Sequence, residues 1–330
     1  MRAVIAGLGS IGQRHLRNLR RIMPEAEISV WHQHSRPGER PAPSEANRVV
    51  YSLDEALDPL PDFAVIANPA SLHVETAWQF AEQGVDLLIE KPLAASMDGV
   101  ENLLTLCDER GLICMVAYVF RFYDPLRLAK AVIAGGQIGR VLAFNAEVGQ
   151  YLPDWRPGRD YRETVSARRE LGGGAVLELS HEIDLARWLV GKVKTVGAQM
   201  GKLSDLEIDV EDTAEITLGF ENGAIGRVHV DMVQRSPVRG LRIVGTEGTL
   251  TWDWQSHRVQ VYTEESEMWR DLHPAVEMDR NEMYVTELEH FLDCVAHRTE
   301  PVIGGEDGRR VLEIALAAKQ SAVEQRVITL

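Results

Sequence analysis

A chain of 330 residues is long enough for two domains of about 150 residues, each with its own core. Apolar residues make up 45% and charged residues 26%, the balance of a folded globular protein and not of a disordered or fibrous one. With 35 Lys and Arg against 50 Asp and Glu, the net charge of -15 repels a phosphate backbone and speaks against general nucleic-acid binding.

From Met1 to about Tyr118, short β-branched runs alternate with helical stretches, the pattern of a parallel sheet wrapped in helices. The predicted strands are Arg2 to Ala6, Ile28 to Trp31, Phe63 to Ala67, Leu87 to Ile89 and Ile113 to Ala117. A helix carrying Leu16, Leu19 and Ile22 follows the first strand, and the Pro-, Glu- and Arg-rich segment Ser35 to Arg48 reads as a surface loop. Ser71 is the expected N-cap of a helix over Leu72 to Gln83 closed by Gly84, and Gly111 closes a further helix from about Gly99 to Arg110. Beyond Val119 come a helix over Arg127 to Ala134, a strand over Arg140 to Tyr151, and an amphipathic helix over His181 to Val190. An antiparallel meander is predicted next, through Thr213 to Phe220, Ala224 to Met232, Leu241 to Gly245, Thr249 to Trp254 and Val259 to Thr263. Helices around Asn281 to Ala296 and Gly308 to Glu324 close an α+β domain. The expected fold class is therefore α/β: an N-terminal Rossmann-type domain over residues 1–118, and a C-terminal α+β domain over 119–330 for substrate binding and oligomerisation, with an open, mostly antiparallel sheet.

Gly7-Leu8-Gly9-Ser10-Ile11-Gly12 is a G-x-G-x-x-G lying directly after a strand and before a helix. Gly7 permits the tight turn, Gly9 lets the backbone approach a pyrophosphate, and Gly12 allows close helix packing, while the helix start at Ser10 and Ile11 attracts the anion. An NAD site usually supplies an acid about 20 residues further on, to hold the ribose 2'-hydroxyl. That window, Trp31-His32-Gln33-His34-Ser35-Arg36, has no acid, and His32, Ser35 and Arg36 instead suit a 2'-phosphate. NADP is therefore favoured over NAD; the alternative is that these residues are solvated and backbone groups hold the ribose. Lys91 in Glu90-Lys91-Pro92 lies at the carboxyl end of a strand, where open α/β sheets bind ligands.

The three cysteines form no disulfide framework, and no CxxC or CxxH spacing marks a metal site, so no metal is expected and a reducing cytoplasm fits best. The longest apolar run, Ile113 to Phe120, has eight residues, too few to span a bilayer, and the glycine-interrupted N-terminus reads as mature protein.

Several of these segments occur in a fixed order over essentially the whole chain: the glycine fingerprint, Asn68-Pro69 to His73, Glu90-Lys91-Pro92, and Tyr118 to Phe122 with Arg121. They continue with Gly172-Gly173-Gly174 running into His181-Glu182-Ile183-Asp184, and end in Gly304-Gly305-Glu306-Asp307-Gly308. In this order they resemble the glucose-fructose oxidoreductase, inositol dehydrogenase and rhizopine catabolism (Gfo/Idh/MocA) family. The resemblance implies a nicotinamide-dependent oxidoreductase acting on sugars or cyclitols, assembled as a homodimer or homotetramer through the open face of the C-terminal sheet. It further implies that Asn68, Pro69, His73, Glu90 and Lys91 adjoin the cofactor, that Tyr118 and Arg121 adjoin the substrate, and that Lys91 and His181 face a polyol beside the nicotinamide.

Two features depart from the family pattern. Many members carry Asp four residues before the active-site His, whereas here Leu177 stands there and Glu178 lies three before His181. Glu178 and Asp184, the latter one helical turn after His181, thus compete as its acidic partner. The segment Gln150 to Arg162 is similar to a subgroup linked to nonulosonic-acid and other surface-sugar biosynthesis. Trp155 offers a ring to a sugar C–H face, and Arg159, with Arg156 and Arg162, suits an anionic sugar unless Asp154 and Asp160 neutralise the arginines. The reading is hydride transfer between a nicotinamide cofactor and a sugar, sugar derivative or cyclitol, with Lys91, His181 and Asp184 catalytic. Its rivals are a reductase of a non-sugar carbonyl or imine in the same fold, and a cofactor-binding regulator that does no chemistry.

Overall fold

The computed structural model describes residues 1–33, 42–273 and 277–330. Met1–Val119 and Asn281–Arg310 form one compact unit, and Phe120–Arg280 with Val311–Leu330 form a second. The sequence suggests a single boundary after residue 118; the structure instead returns Asn281–Arg310 to the first unit.

The first unit runs β1 (Arg2–Ala6), α1 (Ser10–Ile22), β2 (Glu27–Trp31), β3 (Arg48–Val50), α2 (Leu53–Leu57), β4 (Phe63–Ile66), α3 (His73–Ala81), β5 (Asp86–Ile89), α4 (Val100–Arg110) and β6 (Cys114–Val116). Its strands pair in parallel in the order β3-β2-β1-β4-β5-β6. The strand order reverses between β1 and β4, and sheets of this kind bind ligands outside the carboxyl ends of the strands at that point. Phe63, Ala64, Val65 and Ile66 are all fully buried, as a strand covered on both faces requires. On α1 the buried Gly12, His15, Leu16 and Leu19 recur at the spacing of one helical face.

Local differences from the sequence reading have local causes. Ser71 does not cap α3: the chain passes through a 3₁₀ turn at Ala70–Leu72, and α3 starts at His73 with Leu72 at its N-cap. The loop ends before Arg48, which opens β3 beside β2. α2 is too short for periodicity to reveal, although its capping box of Ser52 and Glu55 is a sequence signal.

The second unit holds α5 (Asp124–Ala134), β7 (Val141–Gly149), α6 (Ala175–Glu178), α7 (His181–Val190), β8 (Val193–Gly201), β9 (Thr213–Phe220), β10 (Ile225–Asp231), β11 (Val238–Gly245), β12 (Gly248–Asp253), β13 (Arg258–Thr263) and β14 (Trp269–His273). After α8 (Glu282–His297) and α9 (Gly305–Glu324), β15 (Ile328–Thr329) completes a sheet ordered β14-β13-β12-β11-β7-β10-β9-β8-β15. The sheet is mostly antiparallel, as expected; at its centre β7 lies between β11 and β10 and pairs with β10 in parallel. Along β9, Ala214, Ile216, Leu218 and Phe220 are buried, and α7 packs on β7 and β10. The alternation leaves Asn145, Glu147, Glu215, Thr217, Arg227 and His229 on the opposite face.

α8 belongs with the first unit because it packs on α1 and the first sheet. The Arg14 guanidinium lies 4.2 Å over the Tyr284 ring, the Asn18 and Asn281 amides bond reciprocally at 2.9 and 3.3 Å, and Phe291 meets Phe63 edge to face at 5.4 Å. No described helix is long and apolar enough to cross a membrane.

Candidate active site and cofactor seat

The glycine-rich turn leaves β1 at the switch point and enters α1. Gly7 has φ +97°, and a Cβ there would lie 2.7 Å from the Ala67 carbonyl oxygen. A Cβ on Gly12 would lie 2.1 Å from the Gly7 oxygen, so neither position admits a side chain without backbone movement. Gly9 differs: a Cβ there meets nothing within 4 Å. Gly9 is also the N-cap of α1, where no side chain caps the helix and no acid stands in the first turn. The amides opening α1 at Ser10, Ile11 and Gly12 thus keep the donor capacity and positive dipole end that bind a pyrophosphate, and the residues fit a dinucleotide.

At the end of β2, His32 is buried and stacks on Tyr51, with ring centroids 6.3 Å apart. Gln33, which the motif reading did not single out, receives a bond from Asn68 Nδ2 at 2.6 Å and donates to Thr76 Oγ1 at 2.9 Å, joining the ends of β2 and β4 to α3. Ser35 and Arg36 lie outside the described residues.

At the ends of β4 and β5, two residues expected against the cofactor are instead turned into the protein. His73 is 1% exposed, with Nδ1 2.9 Å from the Pro92 oxygen and Nε2 2.9 Å from the Asn68 oxygen; burial lowers its pKa against the pull of those carbonyls. Glu90 is buried, receiving His15 Nε2 at 2.7 Å on one carboxylate oxygen and the Lys91 N–H at 3.1 Å on the other. Lys91 follows, half-buried at the carboxyl end of β5. The first unit thus gathers Gly7, Gly9, Ser10, Ile11, Gly12, His32, Asn68, Pro69 and Lys91 at one end of the sheet. Tyr118, expected to touch substrate, is fully buried and offers it no surface.

In the second unit, His181 opens α7 half-buried, and its ring meets Phe120 edge-on at 4.8 Å. Phe120 is held among Trp252, Trp254 and Tyr123 at 5.8, 5.4 and 6.1 Å. Asp184, expected as a catalytic partner of His181, lies buried in α7 and is paired with Arg121. It is 1% exposed and receives Arg121 Nη2 at 2.6 Å and Nε at 3.1 and 3.2 Å. That fork gives the buried Arg121 guanidinium its counter-charge, because a buried charge is tolerated only when paired. Glu178 ends α6 and receives the Ser166 hydroxyl at 2.9 Å. Sequence reasoning missed Glu182, whose buried carboxylate receives Arg239 at 2.7 and 3.2 Å while that guanidinium lies 4.7 Å over Phe120.

In the loop from Gln150 to Arg162, Trp155 Nε1 donates to the Gln150 carbonyl at 2.9 Å, and Trp155 and Arg159 share a narrow crevice with Arg156 and Tyr161. Of the three arginines, Arg162 is paired with neighbouring acids. Arg162 forms a fork with Asp160 at 2.7 to 3.0 Å and reaches Glu207 at 3.3 Å; these bonds raise its pKa, and the bonds from Arg162 lower that of Asp160.

Comparison with known proteins agrees with this geometry. Residues 1–118 match the oxidoreductase family with an NAD-binding Rossmann fold, and residues 126–251 match the GFO/IDH/MocA C-terminal domain. The NAD(+)-dependent scyllo-inositol 2-dehydrogenase of Bacillus subtilis is 27% identical, over 97% of this chain and 94% of its own. Levoglucosan dehydrogenase solved with NADH superposes with a TM-score of 0.88 at 23% identity, covering 100% of this chain and 98% of its own, which shows a shared fold. The WlbA dehydrogenase of Bordetella pertussis, solved with NADH and UDP-GlcNAcA, gives a TM-score of 0.83 at 25% identity, covering 100% and 98%.

Proposed function

This chain belongs to the Gfo/Idh/MocA family of NAD-binding oxidoreductases, and we propose that it oxidises a hydroxyl of a sugar, sugar derivative or cyclitol, or reduces the corresponding carbonyl. The observation that carries the reading is the pairing, within one unit, of the uncapped α1 N-terminus at Gly9 with Lys91 at the carboxyl end of β5. A nicotinamide dinucleotide seated on that turn supplies the acceptor or donor of hydride. Lys91 polarises the reacting hydroxyl and takes part in its deprotonation, and His181, its ring steadied by the edge contact with Phe120, relays the proton. Trp155 and Arg159 contact the sugar. A preference for NADP over NAD belongs to the same proposal and rests on Ser35 and Arg36 with no acid in their window. The open face of the second sheet is the proposed contact of a homodimer or homotetramer.

The test compares wild type with Lys91→Ala and His181→Ala, using both cofactors and a panel of scyllo-inositol, levoglucosan and UDP-GlcNAcA. Each variant is expected to lose about 100-fold to 10,000-fold in kcat while its cofactor Kd stays within a small factor. A Lys91→Ala enzyme with the wild-type rate would remove Lys91 from the chemistry.

A further inference from the structure

We propose that His15, Glu90 and His73 form a buried clamp that positions Lys91, an inference that rests on the role given to Lys91 above. The dipeptide Lys91-Pro92 is held at both ends. The Glu90 carboxylate receives the Lys91 N–H at 3.1 Å, and the Pro92 carbonyl oxygen lies 2.9 Å from His73 Nδ1. Each holding side chain is anchored in turn. The second oxygen of Glu90 receives His15 Nε2 at 2.7 Å, from a helix position one turn inside the glycine-rich start of α1. The other nitrogen of His73 lies 2.9 Å from the Asn68 oxygen, at the end of β4, and the single N–H of the neutral ring donates to one of these two carbonyls at a time.

These side chains are buried, His15 at 0%, His73 at 1% and Glu90 at 7% exposure, so none is placed to act as a surface group. Their bonds run to α1, which follows β1 at the switch point, and to the end of β4. The segment bearing Lys91 is therefore tied to the same framework as the cofactor seat. A backbone amide and a carbonyl fixed on either side of Lys91 leave its side chain a defined origin, and displacement of a reacting group by about 1 Å can cost about 100-fold in rate. His15, Glu90 and His73 are positioning residues on this account: they act through Lys91.

The experiment measures Glu90→Ala, Glu90→Gln and His15→Leu beside wild type and Lys91→Ala. Turnover is read with NAD+ and scyllo-inositol or levoglucosan as probes, NADH affinity by fluorescence titration, and exchange of the Lys91 amide by hydrogen–deuterium exchange. Glu90→Ala should lower kcat by about 100-fold, with the NADH Kd within a few-fold and faster exchange at Lys91. Glu90→Gln, whose amide oxygen can still accept the Lys91 N–H, should recover most of the rate. His15→Leu, which leaves the Lys91 segment itself unaltered, should shift rate and exchange in the same direction, and it carries the test if Glu90→Ala does not fold. Wild-type kcat in Glu90→Ala beside an inactive Lys91→Ala would overturn the clamp while leaving Lys91 in its role. A loss of NADH affinity matching the loss of rate would overturn it too, by making Glu90 part of the cofactor seat. Should Lys91→Ala keep its rate, the reading of Lys91 falls, and unchanged exchange at the Lys91 amide in Glu90→Ala would still defeat the clamp on its own.

Discussion

Glu287 carries a carboxyl group into the interior of the first unit, fully buried, with neither oxygen hydrogen-bonded among the described residues. Burial drives its pKa well up, and the negative charge of Glu90 adds to the shift, so Glu287 is held protonated. The unfolded chain releases this proton near the ordinary value of 4.5 while the folded chain keeps it, so stability falls as pH rises above that value, until the folded pKa is passed. Glu287→Leu removes that slope. Its Tm should exceed the wild-type Tm by more at about pH 8 than at about pH 5, and calorimetry giving the same difference at both would contradict the assignment. Neither Glu287 nor His15 stood out in the sequence, because an acid or a histidine on an amphipathic helix reads as a solvated position until the facing helix and strand are known. The Arg121 fork on Asp184 was not legible for a related reason: the two residues lie 63 positions apart in the chain.

At the scale of elements, the β1–turn–α1 unit was legible because its glycines answer separate steric demands, and these can be tested separately. Gly12→Ala places a methyl 2.1 Å from the Gly7 oxygen and forces α1 off β1, so it should lower stability by about 1–3 kcal/mol and weaken NADH binding as well. Gly9→Ala meets open space in the protein, so its Tm should stay near wild type while NADH affinity falls. Equal effects of the two substitutions on both readouts would refute the distinction. Elements with strong periodicity or glycine punctuation, such as α7 and α4, fell close to their expected bounds. β8, β14 and β15 escaped because their apolar alternation is weak, and the parallel β7–β10 pair escaped because strand direction within a sheet leaves no trace in periodicity.

At the scale of the whole molecule, the family and both sheets were legible from motifs in order, and the return of α8 to the first unit was not. That return depends on pairings such as Phe63 with Phe291, contacts between segments far apart in the chain. The central claim is that this chain moves hydride between the carbon of a polyol and a nicotinamide. The measurement that tests it most directly uses NAD+ and NADP+ with carbon-deuterated scyllo-inositol and levoglucosan, followed by mass spectrometry of the reduced cofactor. The account predicts that deuterium from the substrate carbon appears in the nicotinamide of the reduced cofactor with wild type and not with Lys91→Ala. A reduced cofactor without substrate deuterium, or wild type that yields none with any polyol while binding NADH tightly, would contradict it.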